Sequence, residues 1–158
     1  MKLRIYNCPD EDFKPYVERA VRFFAGELIT NKNLRNNCSI KIRFDDKMKD
    51  YGSCFVEDYN TRNQPRHFTI EVHPGIGARN IIETLAHEMV HAKQYCRGQY
   101  RSELAKNGRF RRYWLGKQVK AKYEDRPWEL EAFKREGILV SQLLDHVAQT
   151  KKKNKKRS

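Results

Sequence analysis

Apolar residues recur at helical spacing in three stretches of the chain. After Asp10 or Asp12, either of which can cap a helix, six positions share this spacing: Tyr16, Val17, Ala20, Val21, Phe24 and Leu28. A second helix is predicted from about residue 79 to 97, with Gly98 ending it. A third is predicted over 127–147, where proline occupies the favoured first position. The chain should therefore have an N-terminal, a central and a C-terminal helix.

Outside these helices, several short segments are predicted to be strands, and in 38–44 and 67–73 apolar and polar residues alternate with a period of two, which is typical of strands with one buried face. The predicted strands cover residues 2–6, 38–44, 53–59, 67–73, 109–115 and 118–123. The polar connection 60–66 would join the third and fourth strands as a hairpin, and Gly116 would join the last two. In the fourth strand the apolar positions are Phe68, Ile70 and Val72.

The order of these elements is helix, several strands, helix, hairpin, helix, which predicts an α+β fold with a small antiparallel or mixed sheet. Regular alternation of strands and helices, as in a parallel α/β sheet, is missing. The length suits one domain, which we place at residues 1–149, followed by a basic tail at 150–158.

Positive charge is the main compositional bias. Lys and Arg exceed Asp and Glu by 13, and six of these charges fall in the last eight residues, so the rest of the chain carries +7. The tail has no apolar residue to bury, and we predict that it is disordered. Its charge would attract nucleic acid, although a solubilising terminus explains it equally well.

Cysteine usage and hydropathy favour a cytoplasmic protein. The four cysteines, Cys8, Cys38, Cys54 and Cys96, form no Cys-x-x-Cys pair, so neither a zinc ribbon nor a thioredoxin-like motif is indicated. We expect reduced, mostly buried thiols. No signal-peptide pattern and no membrane-spanning apolar stretch occurs, so we expect no membrane partner. We also expect a monomer.

The central helix contains His87-Glu88-Met89-Val90-His91, a His-Glu-x-x-His pattern. Residues four apart lie on the same face of a helix, so both imidazoles can bind one ion while Glu88 lies beside it. The surrounding apolar residues follow helical spacing and bury this helix, and buried imidazoles need a partner. The pattern predicts a metal site with Zn²⁺, and it assigns Glu88 the role of general base.

Catalytic zinc normally has three protein ligands, so a third must be found. Glu129 and Glu131, near the start of the last helix, are the candidates. Glu129 shares a helical face with Ala132, Phe133, Glu136, Val140 and Val147, whereas Glu131 shares its face with Lys134, Arg135 and Ile138. We therefore favour Glu129 as the ligand and expect Glu131 to point to water. Of the other histidines, His67, His73 and His146 are expected to be surface or structural residues.

The segment Glu83 to Ala92 resembles the metal-site helix of the SprT-like metallopeptidases, with its Thr-Leu-x-His-Glu-Met-x-His-Ala pattern. That family places a third histidine in a His-Gly-x-x-Phe motif, and the nearest match here is Asn107-Gly108-Arg109-Phe110. The resemblance implies a zincin-like fold and proteolysis of DNA-bound proteins.

The segment Glu129-Leu130-Glu131-Ala132 is similar to the Glu-x-x-Ala helix of the gluzincin peptidases, which implies Glu129 as third ligand. The tryptophan-containing segments around Trp114 and Trp128 resemble small phage-encoded metallopeptidase-like proteins, which implies the host cytoplasm as location. Together, the resemblances imply a compact zincin of minimal-gluzincin type.

The leading hypothesis is a zinc peptidase with His87, His91 and Glu129 as ligands. Its peptide or protein substrate would pair with the strand that carries Phe68, Ile70 and Val72, which resemblance to zincins implies is an edge strand. Tyr95, Tyr113 and Tyr123 are the candidates for stabilising the transition state.

The alternative hypothesis is a nucleic-acid-associated binding protein on a zincin scaffold. Besides the tail, it draws on the cations and aromatics of 109–114, which could neutralise phosphates and stack bases. A hairpin with one packed face and one solvated basic face would explain the same segment.

Overall fold

The computed structural model describes residues 1–58 and 64–158, and it places four helices and two small sheets in an α+β fold. The helices are α1 (Lys14–Leu28), α2 (Lys32–Asn36), α3 (Ala78–Cys96) and α4 (Pro127–Arg157). The strands are β1 (Lys2–Tyr6), β2 (Ser39–Phe44), β3 (Gly52–Val56), β4 (His67–Val72), β5 (Tyr100–Leu104), β6 (Phe110–Trp114) and β7 (Lys117–Val119). The three predicted helices and the first four predicted strands are confirmed, the first strand with the predicted bounds and the others with shifted ends; the predicted end of the third strand, Tyr59, lies outside the described residues.

The first sheet has the strand order β1-β2-β4-β3. The strands β1, β2 and β4 are parallel, and β3 pairs antiparallel with β4. The predicted hairpin between β3 and β4 is therefore present, although most of its predicted connection, 60–66, lies outside the described residues.

Strand β4 is an inner strand, so the prediction that Phe68, Ile70 and Val72 form the peptide-binding edge is wrong. Both edges of β4 are used, one by β2 and the other by β3. The prediction failed because β4 comes just before α3 along the chain, which suggested that it is the strand at the edge. The hairpin instead places β3 at the edge of the sheet, beyond β4. Among the described strands of this sheet, it is β3 that contacts α3 and has an edge without a partner strand.

One face of this sheet is buried and the other is charged. On β2 and β4 the buried residues alternate along each strand: Ile40, Ile42, Phe44, Phe68, Ile70 and Val72. The opposite face carries the ion pairs Lys41–Glu57, at 3.0 Å, and Arg43–Glu71, at 2.5 Å. The period of two predicted this division, because successive side chains of a strand point to opposite faces.

Helices α1 and α3 pack against each other and against the sheet, and α4 crosses α3. The core is filled by residues such as Phe24 of α1, Ile70 of β4, and Leu85 and Met89 of α3, all fully buried. No helix among the described residues is long and apolar enough to cross a membrane.

The start of α1 differs from the prediction. The helix begins after Phe13, and neither Asp10 nor Asp12 caps it with a side chain. The Asp10 carboxylate instead accepts a hydrogen bond from the Asp12 backbone N–H, at 2.8 Å. This local turn uses the side chain that would otherwise cap the helix, and Pro15 occupies the first turn.

The second sheet has the order β5-β6-β7 and is antiparallel. The predicted hairpin across Gly116 corresponds to β6 and β7, with a shorter second strand. Strand β5 was not predicted, because its residues Tyr100 to Leu104 are mostly polar and exposed. It is held by Tyr100, whose ring stacks on Trp128 at a centroid distance of 4.4 Å.

The basic tail predicted to be disordered continues α4 as far as Arg157. The side chains of residues 151–158 are exposed, as expected. Helical propensity and the helix dipole explain the difference, because lysine and arginine are good helix formers and are favourable near a helix C-terminus. No glycine or proline follows Gly137 to end the helix.

Gly52 allows β3 to approach α3 closely. A methyl group added at Gly52 would overlap the methyl of Thr84 and lie 3.0 Å from Oε1 of Glu88. We expect Gly52→Ala to lower the free energy of unfolding by about 1–3 kcal/mol, the usual cost of overpacking, as measured by denaturant titration. Adding Thr84→Ser, which removes the overlapped methyl, should recover part of this loss.

Gly137→Ala is the matched control for that substitution. A methyl group at Gly137 meets no atom within 4 Å, and the residue lies inside α4. It should therefore raise the free energy of unfolding by about 0.5–1 kcal/mol. Equal effects of the two substitutions would contradict the close contact between β3 and α3.

Candidate metal and catalytic site

Helix α3 brings His87, Glu88 and His91 to one side of the molecule, where all three are buried. The apolar residues around them, such as Leu85 and Met89, hold the helix against the core and are fully buried. The two histidines lie one turn apart, and their Nε2 atoms are 3.2 Å from each other.

Helix α4 adds Glu129 to this pair. Its Oε2 atom lies 3.2 Å from Nε2 of His87 and 3.3 Å from Nε2 of His91, and its side chain is buried. Three buried side chains of metal-binding type therefore present one ligand atom each to a common point. The structure brings together the three residues that the sequence pointed to.

The spacing of these three atoms fits a metal ion. Zinc binds histidine nitrogen and carboxylate oxygen at about 2.0–2.1 Å in tetrahedral geometry, which places two ligand atoms about 3.4 Å apart. The observed triangle has sides of 3.2, 3.2 and 3.3 Å. The His₂Glu donor set is also one that catalytic zinc sites use. The cluster could hold a metal ion in this arrangement.

Each histidine is oriented through its other ring nitrogen. Nδ1 of His87 lies 2.7 Å from Oε2 of Glu136, and Nδ1 of His91 lies 2.9 Å from Oε1 of Gln94. Both partners offer oxygen acceptors, so in a neutral histidine each Nδ1 would carry the proton, which would leave each Nε2 able to bind a metal. Such supporting hydrogen bonds are typical of histidines that bind metals.

Gln94 connects α3 to the start of α4. Its side chain is fully buried, and its Nε2 donates to the backbone oxygen of Trp128 at 2.9 Å and to Oε2 of Glu131 at 3.0 Å. One glutamine therefore orients His91 and also holds the helix that carries Glu129.

The prediction that Glu131 points to water is wrong. Its carboxylate is half-buried and pairs with the buried ammonium of Lys93 at 2.5 Å. The helical period of α4 carries no information on α3, and it is Lys93 and Gln94 of α3 that supply the partners of Glu131. Glu131 thus ties α3 to α4 and does not join the His87–His91 cluster.

Burial and charge both alter the pKa values in the cluster. Burial alone would raise the pKa of Glu129, but hydrogen bonds with His87 and His91 outweigh it and hold that pKa well below its ordinary value. Burial alone would lower the pKa of each histidine, but the carboxylates, Glu129 first, raise it overall. Burial raises the pKa of Glu88, against the opposing charges of His91 and His87. Favourable charge pairing thus outweighs burial at Glu129, His87 and His91, whereas burial dominates at Glu88.

The cluster opens into a cleft of about 870 Å³. Exposed aromatic side chains line its entrance, namely Tyr51, Phe55, Tyr123 and Phe133. Strand β3 forms one wall, and Glu88 lies in the floor next to Gly52. A ligand in this cleft would therefore meet the cluster, Glu88 and a free strand edge together.

The three tyrosine candidates occupy different places. The hydroxyl of Tyr123 donates to Oε2 of Glu129 at 3.2 Å, and burial and this carboxylate raise the pKa of Tyr123 to about 12. Tyr95 also lines the cleft. Tyr113 does not line it, because its ring lies under the guanidinium of Arg101, 4.5 Å away. Of the three, Tyr123 is the tyrosine in contact with the cluster.

The remaining histidines lie apart from the cluster, as expected. His67 is exposed, His73 accepts a hydrogen bond from the backbone N–H of Gly75, and the ring of His146 packs against Phe23. Each therefore has a surface or structural position.

The supporting role of Glu136 can be tested. Glu136→Gln should weaken zinc binding about 10- to 100-fold, because the imidazole of His87 loses its anionic partner. The measurement is competition for the metal with a chromophoric chelator. Asp145→Asn, an exposed substitution in the same helix, is the control and should leave zinc affinity unchanged. Unchanged affinity in Glu136→Gln would contradict this role.

Sequence reasoning did not assign functions to Gln94 and Glu136. Glu136 had been placed on the same face of α4 as Glu129, which was the available signal, whereas the position of Gln94 depends on how α4 packs against α3.

Comparison of the chain with models of known protein families, with curated proteins and with solved structures finds no match.

Proposed function

We propose that this protein is a zinc-dependent peptidase of the zincin type, in which Glu88 acts as general base. The observation that carries the proposal is the triangle of His87, His91 and Glu129 ligand atoms, with Glu88 beside it, in an open cleft. The donor set, its spacing and the two supporting hydrogen bonds all suit zinc. A bound zinc ion would supply a Lewis acid that lowers the pKa of a water molecule and polarises a peptide carbonyl.

Glu88 would take the proton from the attacking water and pass it to the leaving amine. It follows His87 directly in the chain and lies close enough to both histidines for their charges to affect its pKa, yet the three ligand atoms come from other residues. Its contact with Gly52 places the carboxylate between α3 and the start of β3. The base would therefore lie between the metal ligands and the strand that borders the cleft.

The free edge of β3 is the proposed docking edge for the substrate backbone. Strand β3 pairs with β4 along one edge, and residues 52–55 line the cleft. An extended peptide could add to this edge by backbone hydrogen bonds. Phe55 and Tyr51, which are exposed at the cleft, would then contact its side chains.

Tyr123 is the residue proposed to stabilise negative charge on the substrate oxygen. Its hydroxyl already donates to a carboxylate oxygen of the cluster, at 3.2 Å. A hydroxyl in this place could donate to an oxyanion that forms close to Glu129.

The proposal is tested by measuring metal content and peptide cleavage on the same preparation. Purified protein should contain about one zinc per chain, and it should cleave an unstructured protein such as casein. Removal of the metal with a chelator should abolish cleavage, and one equivalent of zinc should restore it. Absence of bound zinc, or cleavage that survives its removal, would refute the proposal.

Nucleic-acid binding is a second candidate function, favoured by the exposed basic end of α4. Residues 151–157 carry six cationic side chains, all exposed. A protein with both properties would resemble SprT-like proteases, which act on DNA-bound proteins. Deleting 151–158 should weaken DNA binding and reduce its dependence on salt, because fewer counterions are released. Unchanged binding would exclude this segment as the interface.

A further inference from the structure

A small cavity next to the cleft is lined by cations without any acidic residue. It measures about 140 Å³, and its charged lining residues are Arg111, Arg112, Lys120 and Arg126. No aspartate or glutamate is found among the described residues that line it. Like charges around one space repel each other unless an anion enters. The lining therefore has the chemistry of an anion-binding site.

Arg112 and Arg126 line both this cavity and the main cleft, together with Trp128. Within the described part of the chain, neither guanidinium forms an ion pair with a carboxylate. The guanidinium of Arg126 lies over the ring of Tyr123, 5.6 Å from its centroid, and its terminal N–H groups, like those of Arg112, can still donate to a ligand in the cleft.

Regular structure holds both arginines in place. Arg112 lies in the central strand of the second sheet, with Ser102 on one side and Val119 on the other. Arg126 immediately precedes α4, and its Nε donates to the backbone oxygen of Ala121 at 3.4 Å. The N-terminus of α4 adds partial positive charge nearby. The backbone of both residues is therefore fixed before a ligand binds, which removes one entropic cost of binding.

The arginines lie toward the C-terminal end of α3. Tyr95 is one turn beyond His91, and its ring contacts Tyr100, which stacks on Trp128. One helical turn advances about 5.4 Å, and an extended peptide advances about 3.3 Å per residue. The arginines would therefore face a substrate position about two residues or more from the bond at the cluster.

We propose that Arg112 and Arg126 form a subsite for a carboxylate of the peptide substrate, which makes an acidic group near the cleaved bond a specificity determinant. This inference rests on the proposed peptidase function. The carboxylate comes from an aspartate or glutamate side chain or from the C-terminus of the peptide, since both present the same pair of oxygens to a guanidinium. The cavity is smaller than the roughly 300–1,000 Å³ of small-molecule pockets, so it suits a side chain better than a nucleotide.

The test uses a set of fluorescent peptides that differ at one position. Glutamate, glutamine or lysine is placed at each of three positions on either side of a fixed central sequence. A further pair has a free or an amidated C-terminus, which separates the two sources of carboxylate. Binding is measured by anisotropy with zinc-loaded Glu88→Gln protein, and cleavage is measured with the wild-type protein.

We expect one glutamate position, or the free C-terminus, to give about 10-fold tighter binding than its neutral counterpart. The variant Arg112→Gln/Arg126→Gln should lose this preference and bind the neutral peptide as before. Arg109→Gln is the control, because it removes an exposed charge from the turn before β6 and should keep the preference. If the double variant fails to fold, the single variants Arg112→Gln and Arg126→Gln, each compared with Arg109→Gln, decide whether the preference depends on this cavity.

Equal binding of acidic and neutral peptides, or no peptide binding, would overturn the inference. Competition by a single-stranded oligonucleotide that requires Arg112 and Arg126, together with equal peptide binding, would assign the cavity to nucleic acid instead. Preferential binding without any cleavage would refute the peptidase function and leave the carboxylate subsite standing. Cleavage without a preference for acidic peptides would refute the carboxylate subsite and leave the peptidase function standing.

Discussion

Replacing Glu88 with glutamine should lower the rate of peptide cleavage about 100- to 10,000-fold while zinc affinity stays nearly the same. The three ligand atoms belong to His87, His91 and Glu129, so the metal site keeps its donors. Glutamine has nearly the same shape as glutamate but cannot accept the proton of the attacking water, and loss of a general base typically costs this factor. Cleavage of a quenched fluorescent peptide and metal analysis on the same sample provide the two measurements.

The control for this substitution is Glu27→Gln, which removes an exposed carboxylate from α1 and should change neither quantity. Activity equal to that of the parent protein in Glu88→Gln would exclude the general-base role. Loss of zinc in this variant would show that Glu88 supports the metal site itself.

Among the glutamate substitutions proposed for this site, that of Glu129 should lower zinc affinity the most. Glu129→Gln replaces the charged ligand atom in the His₂Glu triangle, 3.2–3.3 Å from both histidine nitrogens. We expect zinc affinity to fall by more than the roughly 10- to 100-fold that the loss of a supporting residue costs. Cleavage at limiting zinc should fall with it. Competition with a chelator measures the affinity.

Glu131→Gln is the matched variant, because it makes the same chemical change two residues away on the same helix. It should retain zinc affinity but lower the free energy of unfolding by about 1–3 kcal/mol, since the buried ammonium of Lys93 loses its anionic partner. If Glu131→Gln lost zinc and Glu129→Gln kept it, the assignment of the third ligand would be wrong.

The residues of the His87–His91–Glu129 cluster could be proposed from the local geometry of each helix. Two histidines four residues apart share a helical face, whatever the rest of the fold does. Glu129 was favoured over Glu131 because it shares a face with Ala132, and that preference agrees with its burial in the structure. Each of these two predictions uses the helical period of a single helix.

The surroundings of the cluster could not be predicted in this way. Glu136 orients His87 only because α3 and α4 pack with these two residues side by side. Gln94 orients His91 while it also binds the start of α4. Glu131 was expected to face water because the helical-face argument leaves out Lys93, which lies on the other helix. Contacts between helices depend on their packing, which a single helical period does not contain.

The proposed docking edge of β3 also depended partly on local pattern and partly on tertiary structure. Alternation identified β4 as a strand with one buried face, which is correct, but the pairing of that strand with both β2 and β3 depends on the order of strands in the sheet. Local patterns therefore determined where the helices and most strands lie, which residues they bury, that His87 and His91 share a helical face, and that Glu129 lies on the buried face of α4. Tertiary structure alone decided which strand is free at the cleft, which residues orient the ligands, and that Arg112 and Arg126 line the same cleft as Glu88. The reason is physical: periodicity acts over one or two turns, whereas each of these features joins residues that are distant in the chain.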